Sequence, residues 1–319
     1  MKPIDNFEFP AELVPFFEKA KRLEWLTIAY LAITVLVMYF TMGNSQAMKT
    51  AWFEDLLSIT PSVAFLITAR IIAKPANKEF PYGYHKAVSI AYLVSSLALF
   101  AVGGFLVIDS ALTIIKADRP TIGTAVIFGH QIWLGYLMMI ALVWGSVPAV
   151  FLGRAKLPLA KKLHSKNLYT DAEMQKADWM TGIAAILGIT GIGLGWWWAD
   201  AVAAIIISFD VIYDGFKNLK QALFDLIDQI PKTVDNRETD PIIKHIEDYL
   251  RQKPWVKAAE IRLREDGHIY FGEAFVVPAT SDNLTQSIEA ASKEIENMHW
   301  ILHEFIITLV SDLPQQEAQ

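Results

Sequence analysis

The sequence contains no cysteine. Disulfides and thiolate metal sites are therefore excluded, and the redox compartment leaves no mark on the composition. Histidine is scarce too, with seven residues in 319, and none falls on the polar helix faces described below. No Ser-His-Asp order, H-E-x-x-H pair or glycine-rich phosphate loop occurs, so a membrane enzyme finds no footing. Basic residues are not in excess: the formal net charge is −6, which argues against a nucleic-acid binder. The first residues, M-K-P-I-D-N-F-E-F-P, hold acidic side chains and no early apolar core, and are not expected to act as a signal peptide.

What the chain has is apolar length. Hydrophobic residues make up 53% of it, and most of the excess lies before residue 220. After a polar-to-amphipathic lead (1–22), six stretches approach the ~20 apolar residues that cross a bilayer. They are placed at about 24–43, 51–73, 87–115, 131–153, 169–195 and 197–219, the last two joined by a tight hairpin with Trp at the interface. The lead, Arg70–Lys86 and Arg154–Lys166 are rich in Lys and Arg. The alternate loops hold only Lys49, Lys116 and Arg119. The bias toward basic loops on one side predicts both termini on the cytoplasmic face.

Two of these stretches carry charge where lipid makes charge costly. In the fifth, Asp171, Met174 and Asp178 share a stripe, because a seven-residue step turns an α-helix by nearly two full turns. In the second, Asp55, Ser58 and Ser62 repeat that i, i+3, i+7 spacing. Two spans with polar seams suggest a cation site between helices. With the two spans antiparallel, Asp55 is expected level with Asp178, and Ser62 nearer Asp171. Ser58, Ser62 and Met174 have the alternative reading of plain helix packing, and Asp55 that of a carboxylate solvated at the outer interface. Glu54 and Asp210 are further candidates for the site. Glu173 and Lys176, also candidates, stand i, i+3 and are read as pairing with each other. Asp200 is read as interfacial. Pro61 removes a backbone hydrogen bond in the second span and frees a carbonyl near Leu57. His85, His130, His164 and His245 read as loop or surface residues. His299 and His303 are i, i+4, a spacing that admits a metal pair without specifying one.

Beyond residue 220 the composition becomes that of a soluble domain. D-P-I-I-K-H-I-E-D-Y-L-R has helical spacing, and A-A-E-I-R-L-R-E-D-G-H-I-Y-F-G-E-A-F-V-V-P reads as two alternating strands around an Asp-Gly turn. N-L-T-Q-S-I-E-A-A-S-K-E-I-E-N-M opens with a capping signal and reads as a helix. F-I-I-T-L-V is a last strand. The expected fold is an α-helical membrane protein with six transmembrane helices (1–220), followed by a small α+β cytoplasmic domain of αββαβ, ferredoxin-like order (221–319).

This order of elements resembles the cation diffusion facilitator, or cation efflux, family over nearly the whole chain. The likeness includes K-P-A-N-K-E-F-P-Y-G-Y-H-K-A (74–87), W-A-D-A-V-A-A-I-I-I-S (198–208), D-L-I-D-Q-I-P (225–231) and P-W-V-K-A-A-E-I-R-L-R (254–264). The resemblance implies a homodimer in a membrane, expected to be a cell inner membrane, that exchanges a divalent metal ion for protons and carries no cofactor of its own. It also implies that spans two and five supply His or Asp, then Asp four residues later. Those positions fall on Ser58 and Ser62, then on Met174 and Asp178, while Asp55 and Asp171 supply the acidic residue one turn earlier. Phe80 and Tyr84 stand where the family's loop site has histidines. In the tail, Ala259, Glu273 and Leu309 form no cluster of ligands. Oxygen ligands favour Mn²⁺, Fe²⁺, Co²⁺ or Mg²⁺ over Cu⁺, and Met174 keeps Zn²⁺ in the set. The alternative is a non-transporting scaffold or sensor of the same fold with a degenerate metal site.

Overall fold

The computed structural model describes residues 9–116, 121–127, 129–235 and 237–313. The first eight residues of the lead and Arg119 lie outside them. Six helices of 27 to 29 residues come first: α1 (Val14–Thr41), α2 (Gln46–Ile72), α3 (Ala87–Ile115), α4 (Leu134–Lys162), α5 (Lys166–Gly193) and α6 (Ala199–Leu226). At 1.5 Å per residue each is roughly 40 Å long, more than the ~30 Å hydrocarbon layer. Among the described residues, α1 to α4 are long and apolar enough to cross a membrane. Their outer faces expose Leu36, Phe40, Ile108, Ile140 and Phe151, a surface suited to lipid and costly in water.

Two of the long helices, α2 and α5, begin where a side chain answers the free amides of the first turn. The Ser45 hydroxyl accepts from Met48 N at 3.1 Å to start α2, and Ser165 from Leu168 N at 3.4 Å to start α5. Asp200, expected at the interface, is instead fully buried. Its carboxylate accepts from the Ser45 hydroxyl (2.7 Å), Ala47 N (3.3 Å) and Gln46 N, which places a negative charge at the positive end of α2. Small residues set the spacing between helices. A methyl group added to Gly215 of α6 would meet the backbone N of Phe100 in α3 at 2.6 Å, and one added to Gly153 of α4 the carbonyl of Ala172 in α5 at 2.5 Å.

Several boundaries differ from expectation, α2 beginning at Gln46 and α6 ending at Leu226 among them. The amphipathic lead is already helical from Val14. Residues 131–133, expected to open the fourth span, belong to β2 (His130–Trp133), which pairs antiparallel with β1 (Thr124–Ile127). The α4 helix runs on to Lys162, so Arg154, Lys156, Lys161 and Lys162, read as a basic loop, are helical. A basic run ends a span in a sequence reading, yet a long helix can carry its charges beyond the lipid or bury them against partners.

The second layer comprises α7 (Ile242–Arg251), β3 (Val256–Asp266), β4 (Ile269–Pro278), α8 (Leu284–Glu296) and β5 (Leu302–Leu309). β3 pairs antiparallel with β4, from Ala258↔Val277 to Asp266↔Ile269, and β5 lies parallel to β4 on its other edge. Ile246, Leu250, Leu263, Tyr270, Val276, Ile295 and Phe305 form the core between sheet and helices. Gly267, at the β3–β4 tip, takes φ +69°, and a Cβ there would meet the His85 carbonyl oxygen at 2.8 Å. That close approach seats the hairpin against the loop between α2 and α3.

Candidate cation site between the helices

Glu54, Asp55, Ser58 and Ser62 lie along α2, which packs against α5, the helix that carries Asp171, Met174 and Asp178. Asp55, Ser58, Ser62 and Asp171 are buried. One oxygen each of Glu54, Asp55 and Asp178 (Oε2, Oδ2 and Oδ2) is shut off from solvent and lacks a hydrogen-bond partner. Glu54 and Asp55 act on each other electrostatically, as do Glu54 with Asp178 and Asp55 with Asp178. Asp55 Oδ2 points toward Gly145 of α4, 3.5 Å from where a Cβ would stand. The Thr181 hydroxyl donates to Glu54 Oε1 at 3.1 Å. Ser58 spends its proton on the Glu54 carbonyl one turn back, at 2.9 Å. Met174 Sδ lies 4.0 Å from Asn218 Nδ2, which ties the stripe to α6.

Asp171 is on the same stripe but differently engaged. Lys156 Nζ of α4 stands 2.6 Å from Asp171 Oδ2 and 3.0 Å from Glu24 Oε2 of α1, and Gln175 Nε2 donates to Asp171 Oδ1 at 3.1 Å. Lys156 is 0% exposed and Glu24 1%. This triad joins three helices and answers the Asp171 charge, and Ser62 is turned toward Glu24. Glu173 and Lys176 pair with each other at 3.1 Å, half exposed, outside the buried seam. Among the described residues no three His, Asp or Glu side chains stand close enough to hold one ion; the acidic groups are strung along the bundle.

Of the spaces that reach this row, two meet at α6. A cleft of about 510 Å³ is lined by Tyr169, Glu173 and Met174 of α5, Asp210 and Asp214 of α6, and Lys232, Asp235 and Arg237 of the following segment, among others. A small cavity of about 10 Å³ is lined by Glu54, Leu99, Met174, Thr181, Asp210, Val211 and Asp214. Glu24, Lys156, Thr181 and Asp214 are not among the site residues that the sequence singles out. The i, i+3 step from Asp178 to Thr181 and the i, i+4 step from Asp210 to Asp214 were the available signals. The triad has none, because its members come from three separate helices.

A second polar cluster lies where the β3–β4 hairpin meets the helical layer. Lys166 Nζ bonds Glu265 (2.6 Å) and Asp225 (3.4 Å), and Lys86 stands 3.1 Å from Asp228 and 3.6 Å from Asp266. The Tyr270 hydroxyl donates to Asp240 Oδ2 at 2.9 Å and meets His164 Nε2 at 2.7 Å. His85 and His164, expected at the surface, are packed into this junction with His268. Burial, with smaller contributions from neighbouring histidines at His85, holds their pKa values at about 4, about 3 and about 4. Burial raises Glu265 to about 7 against the pull of Lys166. His299 lies in a turn and His303 in β5, so their i, i+4 spacing does not place them on one helix face. The rings of Phe80 and Tyr84 lie 4.7 Å apart at a tilt of 34°, and Glu273 is bound to Arg262.

Residues 25–227, from within α1 to the end of α6, match the family model for the cation efflux transmembrane domain. Among curated relatives, the manganese efflux system protein MneS of Bacillus subtilis is 28% identical over 204 residues, or 62% of this chain and 64% of that protein. The manganese efflux system protein MneP of the same organism is 25% identical over 240 residues, covering 73% of this chain and 74% of MneP. The cation-efflux pump FieF of Salmonella arizonae is 24% identical over 250 residues, covering 77% and 75%.

Proposed function

Because the chain belongs to the cation efflux family, and is therefore a multi-pass membrane transporter and not an enzyme, we propose that it exports a divalent metal cation from the cytoplasm in exchange for protons. The observation that carries this reading is the set of buried oxygens on Glu54, Asp55 and Asp178 that have no hydrogen-bond partner. A carboxylate held away from water must be balanced by a proton or by a cation. Two or three such groups offer the same oxygens to either, which is the chemistry of exchange. In this reading α5 and α6 complete six spans, both termini face the cytoplasm of an inner membrane, and the chain works as a homodimer.

Asp178 of α5 and Glu54 and Asp55 of α2 are the proposed ligands, engaging the ion in pairs as it moves along the bundle, with Ser58 and Met174 lining the path. Asp171 leaves the ligand set, because Lys156 answers its charge, and Ser62 goes with the triad. Carboxylate and hydroxyl oxygens suit a hard, partly hydrated ion. Two of the relatives are named for manganese efflux, so Mn²⁺ heads the candidates, ahead of Fe²⁺, Co²⁺, Zn²⁺ and Mg²⁺. The test is uptake of these five ions into proteoliposomes under an imposed proton gradient, with wild type beside Asp178→Asn and Glu54→Gln. Wild type should take up Mn²⁺ and alkalinise the lumen in step, and both variants should lose transport. Metal flux that ignores the proton gradient would remove the coupling. A wild type that moves none of the five ions would leave the scaffold reading in its place.

A further inference from the structure

We infer that Asp210 and Asp214 of α6 form the neck through which the cation is admitted from the cytoplasm-side cleft to the buried carboxylates of α2 and α5. The inference rests on the transport reading above and adds a helix that the α2–α5 seam does not include. Its first support is the geometry of the two spaces. The cleft and the small cavity share three lining residues, Met174, Asp210 and Asp214. Anything passing from the cleft to Glu54 by this route must pass between those side chains. Asp210 and Asp214 are one helical turn apart, so both carboxylates fall on the face of α6 that looks into the passage.

The second support is independent of the acidic pair. Glu54 lines the small cavity beyond the shared residues, and its Oε2 is shut off from solvent with no hydrogen-bond partner, while Thr181 holds the other oxygen in place at 3.1 Å. A fixed carboxylate oxygen that lines a cavity without a hydrogen-bond partner is a receiving group. Asp210 and Asp214 both act electrostatically on Glu54. The volume of about 10 Å³ is room for about one water, so a hydrated ion must exchange waters for ligand oxygens at the neck. Met174, the third shared residue, closes the remaining side with an apolar stem and a weak acceptor. The outer cleft mixes Glu173, Asp210, Asp214 and Asp235 with Lys217, Lys220, Lys232 and Arg237. Selection for positive charge therefore falls to the neck, where the shared polar groups are both acidic.

Groups that lie on the way to a binding site govern the rate of arrival more than the strength of holding. The experiment compares wild type, the double variant Asp210→Asn/Asp214→Asn, the charge-keeping Asp210→Glu/Asp214→Glu, and Glu54→Gln. Transport of Mn²⁺ into proteoliposomes gives KM and maximal rate. Stopped-flow tryptophan fluorescence on the detergent-purified full chain gives association and dissociation rates for Mn²⁺. The Asn pair should raise KM about tenfold and slow association by the same factor, with maximal rate and dissociation within about twofold of wild type. The Glu pair should restore most of both, and Glu54→Gln should abolish transport. An Asn pair with wild-type KM and association rate overturns the neck. So does an Asn pair without saturable transport, since its carboxylates would then be ligands of the transport site, and so does a Glu pair as impaired as the Asn pair. If wild type transports no ion, the transport reading fails, and the association rates still decide whether the neck admits the cation.

Discussion

Acidification should loosen the C-terminal domain from the helical layer, by an amount the junction allows to be worked out. His85, His164 and His268 have pKa values of about 4, about 3 and about 4 in the docked state, against ~6.5 for a ring in water. Between pH 6.5 and 5.5 the undocked rings go from half to nine-tenths protonated, while the docked rings bind almost nothing, a difference averaging ~2.2 protons. Glu265 opposes this: raised to about 7 when docked, it holds ~0.85 proton more there than in water. The undocked state thus binds ~1.4 protons more, so docking strengthens as pH rises and weakens as pH falls through this window. At 1.36 kcal/mol per proton per pH unit the loss is about 2 kcal/mol, or roughly 25-fold in the docking equilibrium. His299, also lowered by burial, adds to the effect, and Asp266 and Glu304, both raised by burial, subtract from it. Amide hydrogen exchange at Glu265–Ile269 and Ser165–Leu168, corrected for the intrinsic pH dependence, should show protection falling by about that factor from pH 6.5 to 5.5. Unchanged protection would refute the reasoning. So would an undiminished pH response in the triple variant His85→Gln/His164→Gln/His268→Gln.

Two other perturbations follow from the packing. Lys156→Met leaves Glu24 and Asp171 buried without their cation, at a cost of about 3–5 kcal/mol, and should lower the melting temperature of the detergent-purified protein sharply. Replacing all three members by apolar residues should recover much of that loss, and a triple variant as unstable as the single one would contradict the account. Gly215→Ala drives a methyl into the Phe100 backbone and should destabilise the α3–α6 pair by about 1–3 kcal/mol, read by thermal unfolding against Gly104→Ala, where nothing lies within 4 Å of the added methyl.

The apolar runs and the strand–turn–strand alternation could be read directly, because helix and sheet impose their periods on neighbouring residues. The i, i+3, i+7 spacing put Asp55, Ser58 and Ser62 on one face of α2 for the same reason, and the antiparallel order of the spans is what set Asp55 level with Asp178, which acts on it electrostatically. What failed was long-range. Lys156 looked like one more cytoplasmic-loop lysine, since nothing near it in sequence reveals that Glu24 and Asp171 enclose it. Asp200 looked interfacial because its partners, Ser45 and the first amides of α2, are some 150 positions away. His85 and His164 looked like surface residues until a distant hairpin covered them. Glu54 was read as secondary to Asp55, its neighbour in sequence. The two residues point about 100° apart on α2, and only the position of α5 and α6 shows that both faces are enclosed.

The triad of Glu24, Lys156 and Asp171 also has a timetable. Glu24 is made first and belongs to the first long apolar helix, yet its cationic partner follows 132 residues later. At 5–20 residues per second that is a wait of roughly 7–26 s, during which α1 is finished but its buried carboxyl has no counter-charge. Over that interval α1 must hold the carboxyl protonated, keep it at the water boundary or stay beside the insertion machinery. Lys156 faces a shorter wait, since Asp171 follows it by 15 residues. The α4–α5 hairpin therefore arrives as a preformed ion pair, and closing it onto Glu24 is a late step of assembly, completed only after five of the six long helices have been made.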